Sequence, residues 1–161
     1  MSDNGHRNAF DTASKLLSTR EHSREQLRRK LQQRKFTAEE IENALNRLEK
    51  FDFLSDVRFA RQMVRYWSES KLRGPLEIKM RLKEAGVSSE ISTEIISEFF
   101  VEDIEKDLCY KDALKKAPSI REEDKRKKYA KLYGYLSRHG YSSDAVRSAI
   151  NRVLNFDTEV D

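Results

Sequence analysis

Basic side chains recur at helical spacing in several stretches of this chain, and they are its clearest candidates for binding chemistry. Arg58, Arg61 and Arg65 fall on one face of a predicted helix, opposite a broad apolar face. Cations arranged in this way suit the phosphates of a nucleic acid or an acidic protein surface. The candidate binding residues are Arg24, Arg28, Arg58, Arg61, Arg65, Lys71, Arg73, Lys79, Lys83, Lys125, Lys127 and Lys128.

The residue patterns of an enzyme are missing from this sequence. It has no glycine-rich phosphate loop, no Cys/His ligand set and no nucleophile beside a base. We therefore predict no catalytic site, no metal and no cofactor. His139 lies near a predicted helix end, where a charge partner is the expected role. Cys109 is the single cysteine, which excludes an internal disulfide and suits a reducing compartment, and we expect a buried structural thiol.

Length and composition indicate a small helical protein. The 161 residues fit one domain or a few small repeats, and 5 Gly and 2 Pro leave little room for β-turns. Apolar residues recur three and four positions apart, which is the spacing of α-helices. No apolar run approaches the length of a membrane span, and the start lacks the apolar segment of a signal peptide. We expect a cytoplasmic monomer without membrane contact.

Two helices in the middle of the chain have clear start and stop signals. Ser55 or Asp56 can cap the first, and Pro75 suits the first position of the second. Gly86 follows where a left-handed helix end favours glycine. Glu77 precedes Arg81 by four residues, the favourable orientation for a helical ion pair. The residues expected on the apolar face of the first helix are Val57, Phe59, Ala60, Met63, Val64, Tyr66 and Trp67.

An apolar triplet with the same spacing occurs three times, about fifty residues apart. Its members are Leu27, Leu31 and Phe36; Ile78, Leu82 and Val87; and Leu132, Leu136 and Tyr141. A hydroxyl residue that can cap a helix follows each triplet, namely Thr37, Ser88 and Ser142. Apolar pairs follow in turn, Leu45 with Leu48, Ile96 with Phe99, and Ile150 with Val153, although Ser92 stands where an apolar residue is expected. Repeats of this length are typical of helical solenoids.

We predict an all-α fold of three tandem three-helix repeats that form an elongated, curved array. The repeats cover residues 9–55, 56–103 and 104–156. Residues 1–8 are predicted to be a flexible start, and residues 157–161 an acidic tail.

The charges alternate along the repeats, and two interpretations remain open. First and second helices are mainly basic, whereas the third helices of the first two repeats are acidic. Opposite charges could hold neighbouring repeats together, or the basic helices could present one surface to a polyanion or an acidic protein. The net charge of +4 is too small to decide.

Several segments resemble the RecX family of recombinase regulators. The central match runs from Phe53-Leu54-Ser55-Asp56 through Arg58-Phe59-Ala60 to Gly74-Pro75, Ile78, Leu82 and Gly86-Val87. The segments beginning at Arg20-Glu21-His22-Ser23 and at Leu136 are similar to the family's first and third repeats. The family often has Gly-Tyr-Leu-Asp-Asp where this chain has Asp52-Phe53-Leu54-Ser55-Asp56, a neutral change because Ser caps a helix as well as Asp does.

The resemblance implies three three-helix repeats, no catalytic activity and binding to the RecA recombinase filament on DNA. It also implies restraint of strand exchange, ATP hydrolysis and RecA-assisted repressor cleavage. Weak, non-specific contact with single- or double-stranded DNA fits the basic stretches. The main alternative is a sequence-tolerant DNA-binding protein of tandem three-helix modules. A structural scaffold would explain the repeats but not the basic faces.

Overall fold

The computed structural model describes residues 8–101 and 103–155, so the predicted flexible start, apart from Asn8, and the acidic tail lie outside the described residues. Within these ranges the chain forms nine α-helices and no strand, which confirms the all-α prediction. The helices are α1 Ala9–Thr19, α2 Arg24–Gln33, α3 Ala38–Lys50, α4 Asp56–Arg65, α5 Pro75–Glu84, α6 Ser89–Phe99, α7 Ile104–Lys116, α8 Lys125–Arg138 and α9 Ser143–Leu154. A π-helical turn, Tyr66–Ser70, extends α4, and a 3₁₀ turn, Ala117–Ser119, follows α7.

The helix starts follow the predicted capping chemistry. Ser23 and Thr37 each form a capping box, with Gln26 and Glu40 respectively, in which each partner satisfies a backbone N–H of the other. Ser55, rather than Asp56, caps α4, because its hydroxyl accepts from Arg58 N at 3.2 Å. Gly86 has φ 79°, the left-handed conformation predicted for this helix end.

The chain divides into two compact units. Among the described residues, one unit contains 8–62 together with Leu82–Ser92, and the other contains Met63–Arg81, 93–101 and 103–155. Helices α4, α5 and α6 therefore each begin in one unit and end in the other. The repeat boundaries that we predicted near residues 55 and 103 stay a prediction.

Each unit has its own apolar core, built on the predicted triplets. In the first unit Leu27, Leu31 and Leu45 are fully buried among residues of α1, α2 and α3. In the second unit Leu132, Leu136 and Ile150 are fully buried among residues of α7, α8 and α9. Ile78 and Leu82 of the central triplet are also fully buried.

Two sequence expectations for the apolar faces were wrong. Tyr66 is exposed, at the first position of the π-helical turn. On α6 the fully buried isoleucine is Ile95, whereas Ile96 is only half-buried. Ser92 is buried despite its hydroxyl, as its place in the repeat requires.

Candidate partner-binding surface

Arg24 and Arg28, the candidate cations of the first repeat, are half-buried and hold two helices together. Nη2 of Arg24 donates to Oε2 of Glu42 at 2.7 Å, and Nε of Arg28 donates to Oε1 of the same carboxylate at 2.9 Å. The hydrogen bond from Arg28 is the main cause that lowers the pKa of Glu42. Because α2 carries both arginines and α3 carries Glu42, these charges are largely balanced within the fold.

Arg58 forms hydrogen bonds that support the corner between α3 and α4. Its Nε donates to Oε1 of Glu21 at 2.6 Å, and its Nη2 donates to the carbonyl oxygens of Asp52 and Phe53 at 3.1 and 3.2 Å. Asp52 has φ 58°, so this corner needs support from its surroundings. Arg58 is therefore occupied by structural contacts. Arg61 and Arg65, farther along the same helix, have exposed side chains.

The π-helical turn after α4 places aromatic rings beside cations. Ser68 lies at its centre, and its hydroxyl donates to the carbonyl oxygen of Val64 at 2.7 Å. The guanidinium of Arg81 lies 3.7 Å from the centre of the Trp67 ring, and Nζ of Lys71 lies 5.6 Å from that of the exposed Tyr66. Turns of this kind are frequent at functional sites.

Arg73 joins a buried network in the second unit. Its Nη1 lies 3.1 Å from Nδ1 of His139, and that nitrogen lies 2.5 Å from Oδ2 of Asp112. The Tyr135 hydroxyl donates to Oδ1 of Asp112 at 3.2 Å. Burial raises the pKa of Asp112, and the hydrogen bond with His139 opposes this shift. His139 is the C-cap of α8, so its place at a helix end matches the sequence, but its buried partner was not foreseen.

Backbone hydrogen bonds join the same two segments. Gly74 N donates to the His139 carbonyl oxygen at 2.8 Å, and Leu76 N donates to that of Gly140 at 3.0 Å. A Cβ on Gly74 would stand 2.4 Å from the carbonyl carbon of Gly140, which no side chain could tolerate. The start of α5 and the end of α8 are therefore in direct backbone contact.

The remaining candidate cations lie largely at the surface. Lys79 and Lys83 are exposed on α5, as is Lys71 after the π-helical turn. Lys125 and Lys127 are exposed in the first turn of α8, and Lys128 beside them is half-buried. Cations are disfavoured at the positive end of a helix dipole, and the cap Asp124 is the acidic residue directly before them. These lysines interact unfavourably with the start of the helix, whereas an anionic partner would interact with them favourably.

The sequence-based selection missed several exposed apolar side chains. Phe51 and Phe53 lie next to each other at the α3–α4 corner, with ring centres 6.3 Å apart. Leu76 and Met80 are exposed one turn apart on α5, beside Lys79. The sequence already indicated that Leu76 and Met80 would be exposed, since α5 has apolar residues on two faces and only one face can pack on the core. Exposed aromatic and Met side chains near cations are typical of protein interfaces.

In the part of the chain that the structure describes, no group of three His, Cys, Asp or Glu side chains is placed to hold a metal ion. None of its helices combines the length and apolar character that a membrane span requires.

The chain matches three family models in order along its length. They are RecX first three-helix domain at residues 9–48, RecX second three-helix domain at residues 55–95 and RecX third three-helix domain at residues 103–150. A protein of Chlorobium phaeobacteroides named regulatory protein RecX is 33% identical over 154 residues, covering 96% of this chain and 99% of the relative. The regulatory protein RecX of Haemophilus influenzae strain PittGG is 32% identical, covering 89% of this chain and 93% of its own.

Solved structures show the same fold. The crystal structure of RecX from Lactobacillus salivarius superposes with a TM-score of 0.81 at 22% identity, covering 90% of this chain and 94% of that one. A second crystal structure, of a regulatory protein RecX, gives a TM-score of 0.80 at 22% identity and covers 91% of this chain and 71% of that one. Given the three domain matches and relatives that align over nearly its whole length, this chain belongs to the RecX family of regulatory proteins.

Proposed function

We propose that this chain binds the RecA recombinase filament on DNA and restrains its strand exchange, its ATP hydrolysis and its assistance of repressor cleavage. The observation that carries the proposal is the match of all three RecX domains, in order, along one chain. A regulator that acts by binding needs no catalytic group.

The proposed mechanism uses several weak contacts at once. A recombinase filament is a helix of protein around DNA, and its groove offers repeated, charged surfaces. Three tandem repeats can contact successive subunits and the DNA backbone together, because each later contact forms at high effective concentration. Subunits held together in this way would be hindered in ATP-driven rearrangement, and the second DNA strand would be excluded.

The contacts that we propose lie on the exposed cations. Arg61 and Arg65, one turn apart on α4, are the central pair, and Lys71, Lys79 and Lys83 are further proposed contacts. Arg24, Arg28, Arg58 and Arg73 make internal ion pairs, so we propose a supporting role for them rather than a direct contact. The exposed Leu76 and Met80 beside Lys79 would add an apolar contact with the partner.

The test is charge reversal of Arg61 and Arg65 together, in R61E/R65E. We expect loss of inhibition of RecA strand exchange and ATPase at concentrations where the wild-type chain inhibits fully. The matched control is K111E/K115E, which reverses two exposed cations at the same spacing on α7 and leaves the same net charge. Helical circular dichroism and melting must be unchanged in both variants. Full inhibition by R61E/R65E would remove the central arginines from the proposed surface.

A second candidate function is DNA binding without a recombinase. The observation that favours it is the cluster of cations in the first turn of α8, where the helix dipole disfavours them. Strong preference for one DNA sequence, measured by competition between duplexes without RecA present, would favour this function. Weak binding without preference would leave DNA contact as an accessory to filament binding.

A further inference from the structure

An open cleft lies in the third repeat, among the end of α7, the turn that follows it and one face of α8. Its volume is about 490 Å³, within the usual range of ligand-binding clefts. Four of its lining residues are cations, and none of them belongs to the twelve candidates from the sequence. These cations are Lys116, Arg121, Lys131 and Arg138.

The positive charge of this cleft is balanced only in small part. Lys131 forms an ion pair with Glu122 at 3.3 Å. Arg121 and Arg138 have no carboxylate partner among residues 8–101 and 103–155, and Nζ of Lys116 lies 5.1 Å from the centre of the Tyr135 ring. Cations of one sign in a concave site focus the field and raise the local concentration of anions. Four solvated charges on a convex surface would have no such effect.

A glycine of α8, Gly134, lines the cleft. Gly134 is inside the helix, where glycine is less stable than alanine, and its backbone has no left-handed conformation that would require glycine. A Cβ at this position would stand 3.2 Å from Nη1 of Arg138. Because that nitrogen is at the end of a flexible side chain, a shift of a few tenths of an ångström would relieve the contact. Arg138 can therefore line the cleft with either glycine or alanine at position 134.

We infer that this cleft binds an oligophosphate, that is, two or more phosphate groups close together. Arginine guanidinium groups match the geometry of phosphate oxygens, and four cations exceed what one phosphate can neutralise. The Tyr135 ring already has two neighbours, His139 with ring centres 4.1 Å apart and Nζ of Lys116 at 5.1 Å from the ring centre. The proposed recognition therefore rests on the phosphates, which a nucleoside triphosphate and consecutive phosphodiesters of single-stranded DNA both provide. The inference does not depend on binding to RecA.

Titration of the full chain with inorganic phosphate, tripolyphosphate, ATP and a short oligothymidine tests the inference. Tripolyphosphate should bind more tightly than inorganic phosphate by about tenfold or more, a difference of about 1.4 kcal/mol. Equal affinities for these two anions would overturn it. ATP that binds and displaces no oligothymidine would identify the free nucleotide as the source, whereas competition in which the oligothymidine binds more tightly would identify the nucleic acid backbone.

Two variants locate the site. R121Q/R138Q should lose at least about tenfold in affinity for tripolyphosphate, whereas K115Q, an exposed lysine of α7 outside the cleft, should be unchanged. Wild-type affinity in R121Q/R138Q, or an equal loss in K115Q, would overturn the assignment.

Discussion

At the scale of single residues, Arg58 and Arg65 show how cations on one helix can have different roles. Arg58 donates to Glu21 and to two carbonyl oxygens of the α3–α4 corner. Arg65 is exposed, and the structure records no ion pair for it within the described residues. Sequence spacing alone places both on one basic face, so only the three-dimensional structure separates the structural arginine from the one available to a partner.

The first prediction concerns this pair. Arg58→Ala should lower the free energy of unfolding by about 1–2 kcal/mol, because it removes several hydrogen bonds that are partly exposed to water. Arg65→Ala, the matched control on the same helix, should change it by less than about 0.5 kcal/mol. Urea denaturation followed by circular dichroism measures both. Equal effects of the two substitutions would show that the corner does not depend on Arg58.

The second prediction concerns Cys109. Burial raises the pKa of its thiol to about 12, so the folded chain contains almost no thiolate at pH 8. Iodoacetamide should therefore label Cys109 slowly in buffer and rapidly in urea, as mass spectrometry would show. Fast labelling of the folded chain, at the rate seen in urea, would contradict the buried position.

The raised pKa of Cys109 also predicts how the free energy of unfolding depends on pH. The thiol ionises near its ordinary pKa of 9.0 in the unfolded chain but near 12 in the folded chain. The unfolded state therefore binds fewer protons between these values, and the free energy of unfolding should fall as pH rises through them. Burial also raises the pKa of Tyr141, which acts in the same direction. In C109A, urea midpoints between pH 8 and pH 10 should fall less steeply than in the wild type; an identical slope would exclude the thiol.

At the scale of helices, the repeated triplet makes a stability prediction. Leu31, Leu82 and Leu136 are the middle members of the three predicted triplets and are fully buried. Replacement of any one with Ala should cost about 2–5 kcal/mol, from lost burial and from the cavity left behind. Leu114→Ala, at an exposed position of α7, is the control and should cost far less. Three harmless core substitutions, measured by urea denaturation, would contradict the equivalence of the repeats.

Helix starts and core positions could be predicted because they depend on local signals. A hydroxyl residue followed by Gln or Glu specifies its own hydrogen bonds, and the spacing of Leu27 and Leu31 follows from helical rotation. The π-helical turn that begins at Tyr66 could not be predicted, because it departs from α-helical rotation without a clear sequence signal. The pairing of His139 with Asp112 also could not be predicted, since it joins residues of different helices.

The basic cleft could be predicted from the sequence only in part. Lys131, Gly134 and Arg138 are spaced so that they share one face of α8, and this part was readable from the sequence. Lys116 and Arg121 reach the same cleft only because the turn after α7 reverses the chain. Nothing local in the sequence specifies that approach.

At the scale of the whole molecule, the net charge of +4 conceals an uneven distribution. Carboxylates form ion pairs with Arg24, Arg28 and Arg58. Several lysines of α5 and α8, in contrast, are exposed. We therefore predict weak binding to single-stranded DNA that weakens steeply with salt, because each neutralised phosphate contributes about −0.7 to the log–log slope.

Replacement of Lys125, Lys127 and Lys128 with Gln should make this slope shallower by about 2, since three contacts would be lost. Fluorescence anisotropy with labelled oligothymidine at several salt concentrations measures the slope. A slope that is unchanged in the triple variant would exclude the first turn of α8 from DNA contact.

The backbone contact between Gly74 and Gly140 also limits how the repeats can be exchanged among relatives. Gly140 has φ 88°, and a Cβ there would stand 2.4 Å from Glu77 N, so both glycines must be present for the segments to meet. A chimera that takes its third repeat from another family member would inherit only one half of this junction. Such a chimera would fold well only where the two parent chains supply glycine at both positions of this junction. The junction therefore limits which family members can be recombined with this chain.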